Sequence, residues 1–464
     1  MPNVKIGIEV HGYLKIKEKL FCRCKADYKE EKTKPNTNIC PVCTAQPGCK
    51  PMLPNEEAIK KVIAIGLMLG CRINSSPEKK LVWQRKHYDW PDLPKGFQNT
   101  ISGAYSIPVA QEGEYLGIKI RSVHLEEDPA SWNPETGEID YNRCGLSLVE
   151  ITTEPDFNSS KQVRKWLTEL IKTLNYITAI PKDAGIKADV NVSIENGERV
   201  EIKNVNSLYS IERAIDVEVA RQEIELSSTK KIKRETRRFD EKLKRTISMR
   251  EKEQEQDYRF IPEPDLPILL LNSSLIESIR QKLPESHHSK IEKYKDLGIE
   301  EKEAQILAQK REIAEFYEKL IKNEEVDKKL AAHWVTIELL RVLNWNKAEF
   351  KDAEIKPEHF AQLLILLQEK KITEEIAKKL LNDFYPKSSL PSEKLRKSGF
   401  ERISDKEEIE KICKKVIGEN KQAVEDYEKG EGKALNFLLG EVMKKSKGQV
   451  ESRIAKEVLA ELLS

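Results

Sequence analysis

Two close cysteine pairs, Cys22-Arg23-Cys24 and Cys40-Pro41-Val42-Cys43, stand fifteen residues apart near the start of the chain. That spacing suits a tetrahedral site in which four thiolates hold zinc. With sulfur at all four positions there is no place for water, so zinc there would be structural and would anchor the Lys25 to Asn38 loop. Cys49 adds a spare thiol, and a set of buried free thiols is the plainer alternative. A second constellation is acidic. Glu9 and His11 alternate with Val4, Ile6, Ile8 and Val10, so both project from the polar face of one strand. His124-Leu125-Glu126-Glu127-Asp128 reads as following a strand that begins at Ile118, and three consecutive acids repel unless a cation or basic partner neutralises them. Asp189 makes a third carboxylate source. Such a set suits Mg²⁺, with water and nucleotide phosphates completing its shell, although each piece alone reads as a surface acid.

Familiar nucleotide-binding loops are absent: there is no Gly-x-x-x-x-Gly-Lys-Ser/Thr and no Gly-x-Gly-x-x-Gly after a strand. Any ATP site must be of another kind. No Ser-Lys or Cys-His arrangement argues for a nucleophilic hydrolase. His87, His287, His288, His333 and His359 lack partner spacing and read as surface or packing residues.

The elements that must position these groups divide the chain. Up to about Pro264, short alternating strands, Pro/Gly turns and a few helices predict a mixed α and β domain, with helical spacing over Ser159 to Ile180 and Ser210 to Leu226. From Leu283 onward, Lys, Glu, Leu, Ile and Ala at helical spacing predict a bundle. The fold class is therefore α+β. The 464 residues suggest about three units: 1–285, 286–398 and a helical tail at 399–464, with Tyr385 to Pro391 and Ser398-Gly399 reading as a linker. Asn196-Gly197 marks a hairpin between Asp189 to Glu195 and Arg199 to Lys203. A three-residue loop, Asn196 to Glu198, would pair Val192 with Ile202 and Ser193 with Glu201, putting Asp189, Asn191, Ser193, Glu201 and Lys203 on one polar face.

Charge is nearly balanced, 80 Lys+Arg against 78 Asp+Glu, so attraction to nucleic acid must come from local patches such as the basic stretch from Thr229 to Lys252. No signal peptide or membrane-spanning stretch is evident, which predicts a soluble cytoplasmic protein whose eight cysteines stay reduced.

Longer motifs then carry a resemblance. Ile8-Glu9-Val10-His11, Pro35-Asn36-Thr37-Asn38-Ile39-Cys40-Pro41-Val42-Cys43, Trp90-Pro91-Asp92-Leu93-Pro94-Lys95-Gly96-Phe97-Gln98, Asp140-Tyr141-Asn142-Arg143, Glu154-Pro155-Asp156, Val200-Glu201-Ile202-Lys203-Asn204, Met249-Arg250 and Asp257-Tyr258-Arg259 run in one order along the chain. Together with Glu126-Glu127 and Asp189 they resemble the GatB/GatE family of tRNA-dependent amidotransferase subunits over nearly the whole length. Glu263-Pro264-Asp265-Leu266-Pro267 leads almost directly into the bundle, leaving no room for the extra domain of E-type members, so the chain is similar to the B type.

The resemblance implies a cradle-shaped catalytic domain, a helical domain and a tail that grips tRNA. It implies ATP-dependent phosphorylation of the Glu or Asp side-chain carboxylate on misacylated tRNA, then attack by ammonia. The A subunit, a glutaminase, would supply that ammonia, and the small C subunit would join the other two. Mg²⁺ would sit with Glu9, His11, Glu126 and Glu127, with Asp189 in the same pocket. Lys95, Arg143, Lys203, Arg237 and Arg250 become candidates for nucleotide or the tRNA 3′ end. Lys187-Ala188 replaces an expected Arg-Cys, Cys144-Gly145-Leu146-Ser147 an expected Ala-Gly-Val-Pro, and His333 an expected Asn. Lys187 keeps charge but loses the bidentate fork of Arg. Two rivals share the residues: a non-enzymatic zinc-containing RNA-binding protein, and a metal-dependent nuclease.

Overall fold

The computed structural model describes residues 3–28, 33–75, 79–88, 90–181, 185–228, 231–251, 258–398, 403, 405–429 and 431–463, apart from the side chains of Asn204, Arg250, Glu251 and Ser398. Thr229, Lys252, Asp257 and Gly399 lie outside that set. The chain forms two compact units, 1–286 and 287–464. It is α+β, with the sheet in the first unit and helices throughout the second.

In the first unit, strand β1 (Val4–Tyr13) leads through the cysteine loop to helix α1 (Glu56–Met68). Strands β2 (Arg72–Ile73), β3 (Gln84–His87), β4 (Gln98–Thr100), β5 (Ala110–Tyr115) and β6 (Ile118–Glu127) follow, then a small hairpin of β7 (Ser131–Trp132) and β8 (Ile139–Asp140). After β9 (Ser147–Thr153) come α2 (Ser160–Tyr176), β10 (Lys187–Ile194), β11 (Val200–Val205) and α3 (Leu208–Ser227). The unit closes with β12 (Glu235–Asp240), β13 (Arg245–Glu251), β14 (Arg259–Pro262) and α4 (Ser273–Lys282). Among the described residues, twelve strands make one sheet in the order β13-β12-β11-β10-β1-β9-β6-β4-β3-β14, with β5 joined to β6 and β2 to β5. Among the described residues, only the β11–β12 pairing in this sheet is parallel.

Alternation fixes the two faces. Ile6, Ile8 and Val10 of β1 are at most 1% exposed and share a core with Val190, Val192 and Ile202 of the neighbouring strands and with the apolar sides of α1, α2 and α3. The residues between them, Glu9 and His11 among others, must then face the other way. Side-chain oxygens start the helices: Asn55 accepts the Glu57 N–H at 2.9 Å, and Ser207 the Ser210 N–H at 3.0 Å.

Two sequence expectations shift. The strand beginning at Ile118 does not stop before the acids but runs through Glu127. The β10–β11 hairpin pairs Val192 with Val200 and Asn191 with Glu201, two residues away from the expected register, because β10 continues to Ile194 and the loop opens to 195–199. A two-residue slip keeps every side chain on its face, so Asp189, Asn191 and Glu201 still share one side.

Among the described residues, the second unit holds two separate apolar clusters. One gathers residues from Tyr294 to Phe384, the other from Ile409 to Leu459. Within the first, Trp334–Leu339 forms a π-helical turn between Lys328–His333 and Leu340–Trp345. The Tyr385 to Pro391 stretch is not a free linker: Glu354 N–H donates to Pro386 O at 2.8 Å, and Ser388 N–H to Glu354 O at 3.0 Å. His333 is exposed and meets Glu303 at 2.9 Å. Among the described residues, no helix is long and apolar enough to cross a membrane.

Candidate active-site face and thiolate centre

The polar face of the central strands collects carboxylates that are far apart in sequence. Register does this. On β1, Glu9 stands opposite Asp189 of β10, while His11 stands opposite Glu150 of β9. Glu150 also stands opposite His124 of β6, two residues from Glu126 on the same face. Glu201 of β11 stands opposite Asn191. Two clusters result: His11, Glu126 and Glu150, and Glu9, Asp189 and Glu201, each with ligand atoms within 4.8 Å of one another.

Their electrostatics are those of acids and bases packed on one face. Among the described residues, the five carboxylates of the two clusters share that face with His11, His124, Lys86, Lys187, Lys203 and Arg238. Burial, backed by Glu150, Asp189 and Glu201, raises the Glu9 pKa. Burial also raises Glu126, to about 7, although Lys86 and His11 pull the other way. Glu126 Oε2 is buried and has no hydrogen-bond partner among the described residues. Burial works against charge on His11, but Glu150 at 3.5 Å, with Asp189 and Glu126, overrides it and lifts the imidazole to about 9. The same contacts, with His124 and Lys86, overcome burial at Glu150 and hold its carboxyl far below the usual range. Lys203 bridges Asp189 at 3.2 Å and Glu201 at 3.1 Å, and those two charges outweigh burial to raise its pKa. Lys86 lies 4.6 Å from the Tyr258 ring centre. A buried, unpartnered carboxylate oxygen beside two further oxygen or nitrogen donors fits a divalent cation.

The expected site residues therefore separate. Glu9, His11, Glu126, Asp189 and Lys203 meet on this face. Glu127 does not: one residue along the strand from Glu126, it points to the opposite side, where Lys95 pairs with it and Asn99 N–H donates to it at 2.9 Å. Asp128 lies past the strand end and takes Tyr13 OH at 2.7 Å and Arg143 at 2.9 Å. Each acid of the triplet has its own surroundings. Arg143 also donates to Ala130 O at 2.7 Å, so its side chain braces the end of β6. Arg237 stands beside Ile202 in the parallel ladder and faces α3, meeting Glu235 at 2.7 Å and Glu218 at 3.6 Å. Arg250 stands opposite Thr236 in β13; its side chain is outside the described set.

The motif Glu150-Ile151 belongs to the resemblance, but sequence reasoning gave Glu150 no ligand role and did not single out Lys86 or Arg238. Arg238 stands beside Lys203, on the carboxylate side of the sheet, with its side chain about half exposed. The alternation within each strand was readable, but the pairing of distant strands was not.

The thiols converge as their spacing implied. Cys22, Cys24, Cys40 and Cys43 bring their sulfurs within 4.8 Å of one another. Lys19, 1% exposed, donates to Cys43 Sγ at 3.7 Å and to Asn38 O at 3.0 Å. A hydrogen bond from Cys22, with Lys19 nearby, overcomes burial and draws the Cys43 thiol down to about 5, while burial pushes Cys24 up to about 11. Four sulfurs at this separation with one already favouring thiolate fit zinc. Asn142, in the turn after β8, ties the loop to the β7–β8 hairpin by accepting the Asn38 N–H at 2.8 Å and donating to Lys34 O at 2.8 Å.

Comparison with known proteins agrees with the geometry. A family profile described as the GatB/GatE catalytic domain matches residues 4–277, and one described as the GatB domain matches residues 315–463. The B subunit of aspartyl/glutamyl-tRNA(Asn/Gln) amidotransferase from Methanopyrus kandleri is 41% identical over 466 residues, covering 100% of this chain and 99% of that protein. The protein of the same name from Methanothermobacter thermautotrophicus is 42% identical, covering 99% of this chain and 100% of its own. That from Methanocaldococcus jannaschii is 38% identical, covering 99% and 98%. The chain belongs to the GatB/GatE family.

Proposed function

We propose that this chain is the B subunit of an aspartyl/glutamyl-tRNA amidotransferase, a ligase that uses ATP to activate the side-chain carboxylate of Glu or Asp on misacylated tRNA. The observation that carries the reading is the face on which His11, Glu126 and Glu150 meet beside Glu9, Asp189 and Glu201, with the buried Glu126 Oε2 unpartnered among the described residues. Phosphoryl transfer asks a protein mainly for positioning and charge neutralisation. Mg²⁺, when bound, would neutralise phosphate charge, and His11, Glu126, Glu150 and Glu9 are the residues that would hold it. Lys203 and Lys86 would orient the substrate carboxylate and the γ-phosphate. The γ-phosphoryl group passes to a carboxylate oxygen, ADP leaves, and ammonia then attacks the acyl carbon and expels phosphate to form the amide. Glutamine hydrolysis in the A subunit would supply the ammonia, with the C subunit completing the heterotrimer. Zinc on the four thiolates would be structural. The helical region 286–398 and the tail 399–464 would hold the tRNA, together with the β12–β13 hairpin, and the enzyme would work in the cytoplasm.

The test is co-expression with the A and C subunits, followed by amide formation from Glu-tRNA(Gln) and from Asp-tRNA(Asn) with ATP, Mg²⁺ and glutamine. Product on either tRNA, lost in Glu126→Gln, is the expected result. Bound tRNA with ATP untouched would leave an RNA-binding protein instead, and shortened RNA a nuclease.

A further inference from the structure

Lys86 stands on β3 opposite Phe260 of β14, on the carboxylate side of the sheet. Tyr88 follows Lys86 by two residues and Tyr258 precedes Phe260 by two, so alternation puts all three rings on the Lys86 side. The rings meet edge to face, with 5.8 Å between the centres of Tyr88 and Tyr258 and 6.4 Å between those of Tyr258 and Phe260. Phe260 in turn packs on Gly103, where an added Cβ would come within 2.5 Å of the ring. The Lys86 ammonium sits over the Tyr258 ring, 4.6 Å from its centre. Burial works against its charge, but Glu126 and Glu150 override it and raise its pKa.

Lys86 and Lys203 are held differently. Lys203 is locked between Asp189 at 3.2 Å and Glu201 at 3.1 Å. Among the described residues, no carboxylate comes within ion-pair distance of the Lys86 ammonium. Six strand steps separate β3 from β11, which across a flat sheet would be roughly 29 Å. Charges that far apart would be screened from each other. Yet Lys86 and Lys203 influence one another and Tyr258 influences both, so the sheet curls until the two lysines approach the acids from different sides.

We propose that Tyr258 is a positioning residue for Lys86: its ring face seats the ammonium without occupying the N–H donors, which are left for oxygens of the substrate. A carboxylate would also fix the ammonium, but it would use up donors and cancel charge, whereas a ring attracts through its quadrupole and does neither. Without the ring, the nearest partners for Lys86 are Glu126 and Glu150. Pairing there would take a substrate-facing cation and a metal-facing oxygen out of use together.

The inference rests on the proposed reaction, and its test separates the two. In the assembled enzyme, Tyr258→Phe should keep kcat for amide formation within about two-fold, and Tyr258→Leu should lower it at least about ten-fold with KM for ATP and for aminoacyl-tRNA within about three-fold. Replacing Tyr258 by phenylalanine with one, two and three ring fluorines keeps the shape and weakens the negative face, so kcat should fall stepwise. In a Lys86→Met background, Tyr258→Leu should change kcat by less than about two-fold. A flat fluorine series, a Tyr258→Phe as damaging as Tyr258→Leu, or an undiminished Tyr258→Leu loss on top of Lys86→Met overturns the proposal. A second readout needs no turnover. After lysine dimethylation with ¹³C-formaldehyde, the Lys86 methyl signal, identified by its absence in Lys86→Arg, should lie upfield under the ring and return to the ordinary lysine position in Tyr258→Leu. A signal already at the ordinary position in wild type overturns the proposal. If wild type makes no amide, the proposed reaction fails, and the methyl signal still decides whether Tyr258 seats Lys86.

Discussion

Replacing Glu126 with Gln keeps the shape of the side chain and removes its charge, and the surroundings of Glu126 set the sign of the result. Burial and neighbouring carboxylates raise its pKa from 4.5 to about 7, with the pull of Lys86 and His11 already included. A carboxyl whose folded pKa is raised contributes stability below its unfolded pKa and loses it as pH rises through the folded value. Between pH 4.5 and 7 the Mg²⁺-free protein therefore forfeits on the order of 3 kcal/mol. Gln does not titrate. In Mg²⁺-free buffer at pH 8, Glu126→Gln should thus be the more stable protein, and near pH 4.5 the advantage should vanish. For a unit of 286 residues with an unfolding entropy of about 2.1 cal/mol/K per residue, 3 kcal/mol is roughly 5 °C in Tm. Scanning calorimetry across pH, without chelator so that zinc bound at the four cysteines would be retained, reads this directly. Mg²⁺ at about a hundred times its dissociation constant should then stabilise wild type by about 2.7 kcal/mol and leave the variant unmoved. A variant less stable than wild type at pH 8, or a difference that ignores pH, would refute the reasoning.

The thiolate centre predicts about one zinc per chain by elemental analysis, and Cys43→Ser should remove it and lower Tm, because Lys19 would lose its buried thiolate. Glu218, 0% exposed, takes Arg221 at 2.5 Å and Thr246 Oγ1 at 2.7 Å and faces Arg237. Glu218→Ala should cost about 3–5 kcal/mol, and hydrogen exchange should show β12 and β13 opening first.

What the sequence disclosed follows the range of each physical signal. Alternation within β1 put Glu9 and His11 on one face, and thiol spacing put four sulfurs together, because both are local. The acids at 126–128 were visible, but not that β6 extends through Glu127, and with it which acid faces the site. Glu150 and Lys86 stand in strands whose partners lie more than a hundred residues away or across several turns, and no local pattern specifies such pairings. Arg237 shows the same limit: its basic character suggested a phosphate contact, whereas the parallel register beside Ile202 turns it toward Glu218. The hairpin loop was misjudged by two residues without harm, since strand parity survives an even slip. The proposed reaction rests on motif resemblance, which carries information that periodicity lacks.

The position of β1 sets a schedule for the newborn chain. Made before the other strands of the sheet, it is central, between β10 and β9, with Glu9 and His11 reaching in both directions. Its neighbour β9 is complete only at residue 153 and β10 only at residue 194, which at typical translation rates of 5–20 residues per second leaves one edge of β1 unpaired for roughly 7–30 s and the other for roughly 10–40 s. Until each is made, an edge of a strand with one apolar face is open to wrong partners. The acidic face cannot assemble piecemeal: it closes only when β1 is captured by a segment made long afterward. Extensions fused ahead of β1 would act at that step, on the yield of folded protein, before any effect on its chemistry.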